Sequence, residues 1–228
     1  MSFSHVSLPS LVIALSVSSS VLAVPLLDTC SHQYEGDPHL SAWQELLLTG
    51  TFAPARDGSD HHLLRLTHKL AELQAVIQHN KDDYTSQVFG YSFLEISSDL
   101  QTVEYNQIFS EVYQTKAGDT SIFSEAYQKF QTLYLATEMI TNDLDIHEAN
   151  QEVVRLWTNV NNLLLDVLKN LYTELIMQGT SPTSPVPRSR LPRSLKCMAH
   201  SSYRDTRDFV ILRHLLRISQ ASLEIFDS

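Results

Sequence analysis

Three histidines, His61, His62 and His68, crowd one short stretch of the chain, and imidazole is the commonest metal ligand among side chains. A zinc site on a helix needs two ligands one turn apart, with a Cys, His or carboxylate completing the set. No two of these three stand i, i+4 apart, and no Cys is near them, so they are read as surface histidines. No G-x-S-x-G, H-E-x-x-H or phosphate-cradling glycine loop occurs, and no Cys/His pair has a plausible third member. Nucleophilic and metal-assisted chemistry are therefore not expected, and neither is a cofactor. The chain is expected to act by binding and not as an enzyme.

The two cysteines, Cys30 and Cys197, are the other chemical handle. Whether they pair depends on compartment, because disulfides persist where the surroundings are oxidising. Residues 1–23 have the form of a secretory signal peptide. Leu11 to Leu22 is apolar but too short to span a membrane, and Val21-Leu22-Ala23 has the small-residue cleavage pattern. No later segment reaches the ~20 apolar residues of a transmembrane helix. The mature chain, 24–228, is thus expected to be secreted and extracellular, without membrane insertion. A Cys30–Cys197 disulfide is expected there, closing a very long loop for which chain entropy gives at most about 5 kcal/mol. Two free thiols, or a bond to a partner subunit, are the alternatives. Asn-x-Ser/Thr is absent, so N-glycosylation is not expected.

The elements that would position any binding residues are helical. Glycine is scarce, six in 228 residues, which fits one domain with few tight turns. The clearest helix is the last, from Tyr203 to Phe226. Phe209, Leu212, Leu216, Leu223 and Phe226 recur at spacings of three and four, with Ser219 filling one gap. Ile211, Leu215, Ile218 and Ile225 broaden the stripe, and Arg213, Arg217, Gln220 and Glu224 are placed opposite. Ser202 followed by Asp205 resembles a capping box. An earlier helix is expected from Ser59 to Tyr84 on Leu63, Leu66, Leu70, Leu73 and Ile77. A second runs from Thr120 to Leu144 on Ala126, Phe130, Leu133 and Ile140. A polar turn at Asp143–Asp145, capped by Asp145 with Glu148, leads to the third. Its stripe is Val153, Trp157, Val160, Leu164, Leu168, Leu171 and Leu175, and Gly179 ends it.

Between these lie connections of very unequal length. Residues 24–58 are irregular apart from an apolar turn at Trp43–Leu48. Residues 85–118 form a crossover with a short helix. Residues 180–201 hold four X-Pro steps that forbid α-helix, and leave Arg188, Arg190 and Arg193 open to trypsin-like proteases. A short link forces antiparallel neighbours, whereas a link of twenty or more residues can return the length of a helix and restart in the same direction. Long, short, long is the order of an all-α, up-up-down-down four-helix bundle with two long crossover loops.

The charge is uneven. Residues 181–228 carry eight Lys/Arg against four Asp/Glu, while the whole chain has a formal net charge of −10. Most of the surface is therefore acidic, which disfavours nucleic acid as a partner.

Three stretches resemble the interleukin-6 family of long-chain helical cytokines, nearest to its ciliary neurotrophic factor and cardiotrophin-like group. Ala126-Tyr127-Gln128-Lys129-Phe130 looks like the A-Y-x-x-aromatic/aliphatic patch of that group's second helix. Asp208-Phe209 with Val210-Ile211-Leu212-Arg213-His214-Leu215 is similar to the D-F-x-L-L-K-x-L opening of its fourth. Leu66-Thr67 and Leu70 echo the L-T-x-x-L of its first. The resemblance implies a secreted protein that bridges receptor ectodomains of the glycoprotein 130 type and so brings cytoplasmic kinases together. One receptor contact would use the outer faces of the first and third helices, here Arg65, Lys69, Asn159 and Asp166. Another would use the start of the last helix, where the neurotrophic members carry Phe-x-x-Lys. Here Tyr203 stands near the aromatic position, Thr206 three residues on, and Arg207 next, so the pair expected is Tyr203 with Arg207. Two other classes of function fit an exported helical chain: a hormone or interleukin-12-type alpha subunit with a partner chain, and a carrier of hydrophobic ligands.

Overall fold

The computed structural model describes residues 41–49, 59–99, 122–146, 150–191 and 201–227, and among these there is no strand. The fold is all-α. Two short helices, α1 (Ala42–Leu48) and α3 (Phe93–Asp99), accompany four long ones: α2 (Ser59–Phe89), α4 (Ile122–Ile146), α5 (Gln151–Met177) and α6 (Ser201–Phe226). Residues 1–23, Cys30, Cys197 and Arg193 lie outside the described residues, as does the side chain of Tyr203.

The stripes meet in one core. Leu66, Leu70, Leu73 and Ile77 of α2, Phe130, Leu133 and Ile140 of α4, and Trp157, Val160, Leu164, Leu168, Leu171 and Leu175 of α5 are all fully buried, as are Phe209, Leu212 and Leu215 of α6. α5 packs on both α2 and α4, and α6 on α2 and less extensively on α4. Named contacts show which ends meet. The Gln87 amide near the end of α2 donates to Glu152 at the start of α5 (2.5 Å), and Lys69 lies 3.8 Å from Asp166 farther along both helices. Tyr127, early in α4, sits 6.1 Å from Tyr172, late in α5. Phe123 at the start of α4 stacks on Phe226 at the end of α6, 4.9 Å away. Phe89, the last residue of α2, meets Phe209 early in α6 edge-on at 5.9 Å.

Helix ends follow local chemistry. α1 opens on a capping box: the Gln44 N–H donates to Ser41 Oγ (3.2 Å) and the Ser41 N–H to Gln44 Oε1 (2.9 Å). α5 stops where expected. Gly179 takes the left-handed conformation (φ 70°), its N–H bonding the Ile176 carbonyl and the Thr180 N–H that of Leu175. α2 runs five residues past the expected Tyr84, because nothing in that stretch breaks a helix before Gly90 (φ 75°). α3 is the short helix expected within residues 85–118; residues 85–89 belong to α2 instead, and 100–118 lie outside the described residues.

Other expectations are corrected. α4 continues through Asp143–Asp145 to Ile146, so the polar run is helical, and the cap of α5 is Asn150, whose side chain accepts from the Glu152 N–H (2.9 Å). α6 begins at Ser201, which puts Ser202 inside the first turn instead of before it. Arg213 is buried, not on an outer face, its guanidinium lying over the Phe209 ring at 5.8 Å, whereas Ile225 is half exposed. His62 is also buried, though His61 and His68 are exposed as expected.

The described part of the connection after α5, as far as Leu191, is a fastened strap. After α5 the chain has no regular element to Pro187, makes a three-residue 3-10 turn at Arg188–Arg190 and buries Leu191. The prolines that bar α-helix leave room for that single turn. The Val186 N–H donates to Gln131 of α4 (2.8 Å) and Arg188 pairs with Glu138 (2.8 Å), so Arg188 is anchored and Arg190 alone of the two is exposed. Glu138 also receives the N–H of Ala42 (2.9 Å), which ties α1 to the same flank. Trp43 of α1 is buried edge-on to Tyr127 and Tyr172, and its indole N–H donates to the Tyr127 hydroxyl (3.1 Å).

Trp43→Ala removes the one fully buried side chain of α1. It is expected to lower unfolding stability by about 3–5 kcal/mol, the usual range for deleting a buried aromatic, read as a lower urea midpoint with a near-native slope. A loss below about 1 kcal/mol would mean that α1 is not docked in solution.

Candidate functional site

The residues expected at the first receptor contact come from α2 and α5, and the packing of those helices brings them onto one face. Arg65 is exposed one turn before Lys69 on α2. Lys69 Nζ bonds Glu72 (2.8 Å) and faces Asp166 of α5 at 3.8 Å, and Asp166 also holds Lys169 (3.1 Å). The hydrogen bond that Lys69 donates to Glu72, with the Glu72 and Asp166 charges behind it, raises the Lys69 pKa from its ordinary value. Asn159 is exposed two turns before Asp166. The helical periods alone place these four outward, since each falls outside the apolar stripe of its helix.

Farther along the face the two helices part into an open cleft of about 200 Å³. α2 contributes Asn80, Asp83, Tyr84 and Gln87, and α5 contributes Glu152, Val153, Arg155, Leu156 and Asn159. Tyr84, Val153 and Leu156 are buried and form its apolar part; Asp83, Arg155 and Asn159 are exposed. One end is closed by a ladder in which Asn150 donates to Gln87 (3.1 Å) and Gln87 to Glu152 (2.5 Å). Beneath it Tyr84 meets Trp157 edge-on at 6.1 Å. Burial, then the Asp208 and Asp205 charges, push the Tyr84 phenol well above its ordinary value, so it stays protonated.

The second expected contact, at the start of α6, is not built as the sequence suggests. Arg207 has no exposed surface. Its Nη1 donates to Asp143 of α4 and its Nε to Asp208, both at 2.7 Å. Burial works against the guanidinium, but the Asp208 and Asp143 carboxylates outweigh it and raise the Arg207 pKa. Burial pushes Asp208 up to about 6, against the pull of Arg207. Arg207 therefore belongs to the interior and cannot join Tyr203 in a surface pair.

Periodicity does not reveal the cleft, because its polar members are spread over two helices that are separate in sequence. Arg207 did have a sequence signal: the alternating charges of Arg204-Asp205-Thr206-Arg207-Asp208 run directly into an apolar stretch, where a charge is carried inward with its partner. Among the described residues, no group of three His, Cys, Asp or Glu side chains is placed to hold a metal ion.

Arg207→Ala strands Asp143 and Asp208 and is expected to cost about 3–5 kcal/mol at neutral pH, the range for breaking a buried pair from one side. The loss should shrink on acidification. Because Asp208 is raised in the folded chain, its contribution is complete below the ordinary 3.8 and is lost as pH rises through about 6; removing the guanidinium extends that loss to higher pH. Unfolding titrations of both proteins at pH 5 and pH 7 test this. Wild-type stability at both would mean that Arg207 is not buried in solution.

No protein-family model matches this chain, nor does any curated protein sequence or solved structure.

Proposed function

We propose that the chain is a secreted helical cytokine of the interleukin-6 type, which bridges receptors of the glycoprotein 130 class through the outer face of α2 and α5. Its four long helices are read as an up-up-down-down bundle, and the pairing of helix ends carries this reading. The end of α2 meets the start of α5 at Gln87 and Glu152, and the start of α4 meets the end of α5 at Tyr127 and Tyr172. The start of α4 also meets the end of α6 at Phe123 and Phe226. Helices α2 and α4 then share one direction, and α5 and α6 the other. Only residues 147–150 separate α4 from α5, while residues 90–121 and 178–200 are the two long crossovers that this order requires.

The stretches that resemble the family support the fold more than the choice of receptor. Leu66, Leu70, Tyr127, Phe130, Asp208 and Phe209 are all buried, so their pattern reports core packing. Receptor choice must come from exposed residues, and Arg65, Asn159 and the rim of the cleft are the exposed polar groups that the α2/α5 face offers. Among the described residues, the strap and α1 fasten onto α4 at Gln131 and Glu138, and Arg65 and Asn159 carry no such cover.

The direct test is capture of the mature chain by a panel of cytokine-receptor ectodomains. An Arg65→Ala/Asn159→Ala variant is expected to weaken the captured complex at least tenfold, about 1.4 kcal/mol, while its helical circular-dichroism signal stays unchanged. Wild-type affinity in that variant would remove this face from the contact. Failure of every ectodomain to bind the wild-type chain would sink the cytokine reading.

A further inference from the structure

Resting on the reading of the α2/α5 face as a receptor contact, we propose that the cleft beside Asp83 is a seat for one arginine side chain presented by the protein partner. At about 200 Å³, the cleft is smaller than the roughly 300–1,000 Å³ of small-molecule sites. Its size suits a single inserted side chain.

The lining chooses which one. Asp83 is an exposed carboxylate that makes no hydrogen bond or ion pair among the described residues. The Asn80 amide nitrogen is engaged with the Val76 carbonyl (2.7 Å), so its oxygen is the atom left to accept. Glu152 has given one carboxylate oxygen to Gln87 and keeps the other. Against these acceptors stands one cation of the lining, Arg155, and Asn159 can bond in either sense. The lining therefore sets two carboxylates, Asp83 and Glu152, against one guanidinium and is short of positive charge.

Lysine and arginine both bring charge, but the geometry separates them. A guanidinium presents its N–H groups in a planar fork that can bridge a carboxylate and a neighbouring carbonyl, whereas an ammonium acts as a compact, strongly hydrated point charge. The methylene stem needs an apolar wall, and Val153, Leu156 and Tyr84 supply it.

The test has two arms. In the first, the full chain is titrated by NMR with N-acetyl-arginine methylamide, the lysine analogue and the isosteric, uncharged citrulline analogue. Saturable shifts are expected for the Asn80 and Asn159 side-chain amides with arginine, weaker with lysine and absent with citrulline, and Asp83→Asn should weaken the arginine response about tenfold or more. No saturable shift, or an equal response to citrulline, overturns the proposal. In the second arm, Asp83→Lys is assayed against whichever ectodomain binds the wild-type chain. At least a tenfold loss with unchanged helicity supports the seat, and unchanged affinity overturns it while leaving the cytokine reading standing. If no ectodomain binds the wild-type chain, the functional reading fails, and the amide titration alone decides whether the cleft takes a guanidinium.

Discussion

A guanidinium shut away from water must have its counter-charges in place, because an unpaired buried ion is among the most costly features a fold can carry. Arg207 imposes that condition here. It has no exposed surface, and its two carboxylate partners come from different elements: Asp208 beside it on α6, and Asp143 near the end of α4. The start of α6 can therefore lie only against the end of α4. With that fixed, Phe209, two residues on, falls between Phe89 of α2 and Phe93 of α3, at ring distances of 5.9 and 5.2 Å. One charge pair thus sets the register of the last helix, and an aromatic cluster supplies the apolar burial around it. Well-packed apolar groups of similar volume often match or exceed a buried ion pair in stability, so the distinctive contribution of Arg207 is alignment.

The opposite flank is held by different means. From Phe130 through Thr137 every residue of α4 is buried. One helix cannot turn all its sides toward a single core, so additional cover is required. It comes from α1, wedged in by Trp43 against Tyr127 and Tyr172, and from the strap that fastens to Gln131 and Glu138. Glu138 joins the two by accepting from Ala42 and pairing with Arg188. Among the described residues, α4 is thus wrapped by α1 and the strap, while Arg65 of α2 and Asn159 of α5 stay exposed.

Much of this was legible in the sequence, and the failures have physical causes. The stripes of α2, α4 and α5 have three-four periodicity, and the residues that the period selects are buried apart from the half-buried Leu63, although α4 and α5 bury further residues that it does not select. Gly179 ends α5 because glycine adopts the left-handed conformation without strain. The polar run Asp143–Asp145 read as a turn because acidic residues cluster in turns, yet Asp143 is held in helix as the partner of Arg207. The same blindness moved Arg207 and Arg213 to the surface. A hydrophobic period counts apolar side chains and assigns every charge to solvent, so it does not register a guanidinium paired inside the core or laid over Phe209. Lys69 and Asp166 were placed outward correctly, and their meeting follows from packing between helices, which no single-helix period contains.

The contrast between the two kinds of ion pair bears on which residues can serve a partner. Lys69 and Asp166 keep 31% and 40% of their side-chain surfaces in water. Exposed pairs of this kind contribute only about 0–1 kcal/mol to stability and weaken further in salt. The contact between α2 and α5 does not depend on them, because it is made underneath by groups such as Tyr84 and Trp157. Their charges can therefore be re-paired with an incoming surface at little cost to the fold. Arg207 has no such freedom. Drawing it out to the surface would leave Asp143 and Asp208 uncompensated and release the register of α6. A residue suited to recognition is one whose internal bonds are weak enough to exchange, and on this molecule that criterion selects the α2/α5 face over the buried start of α6.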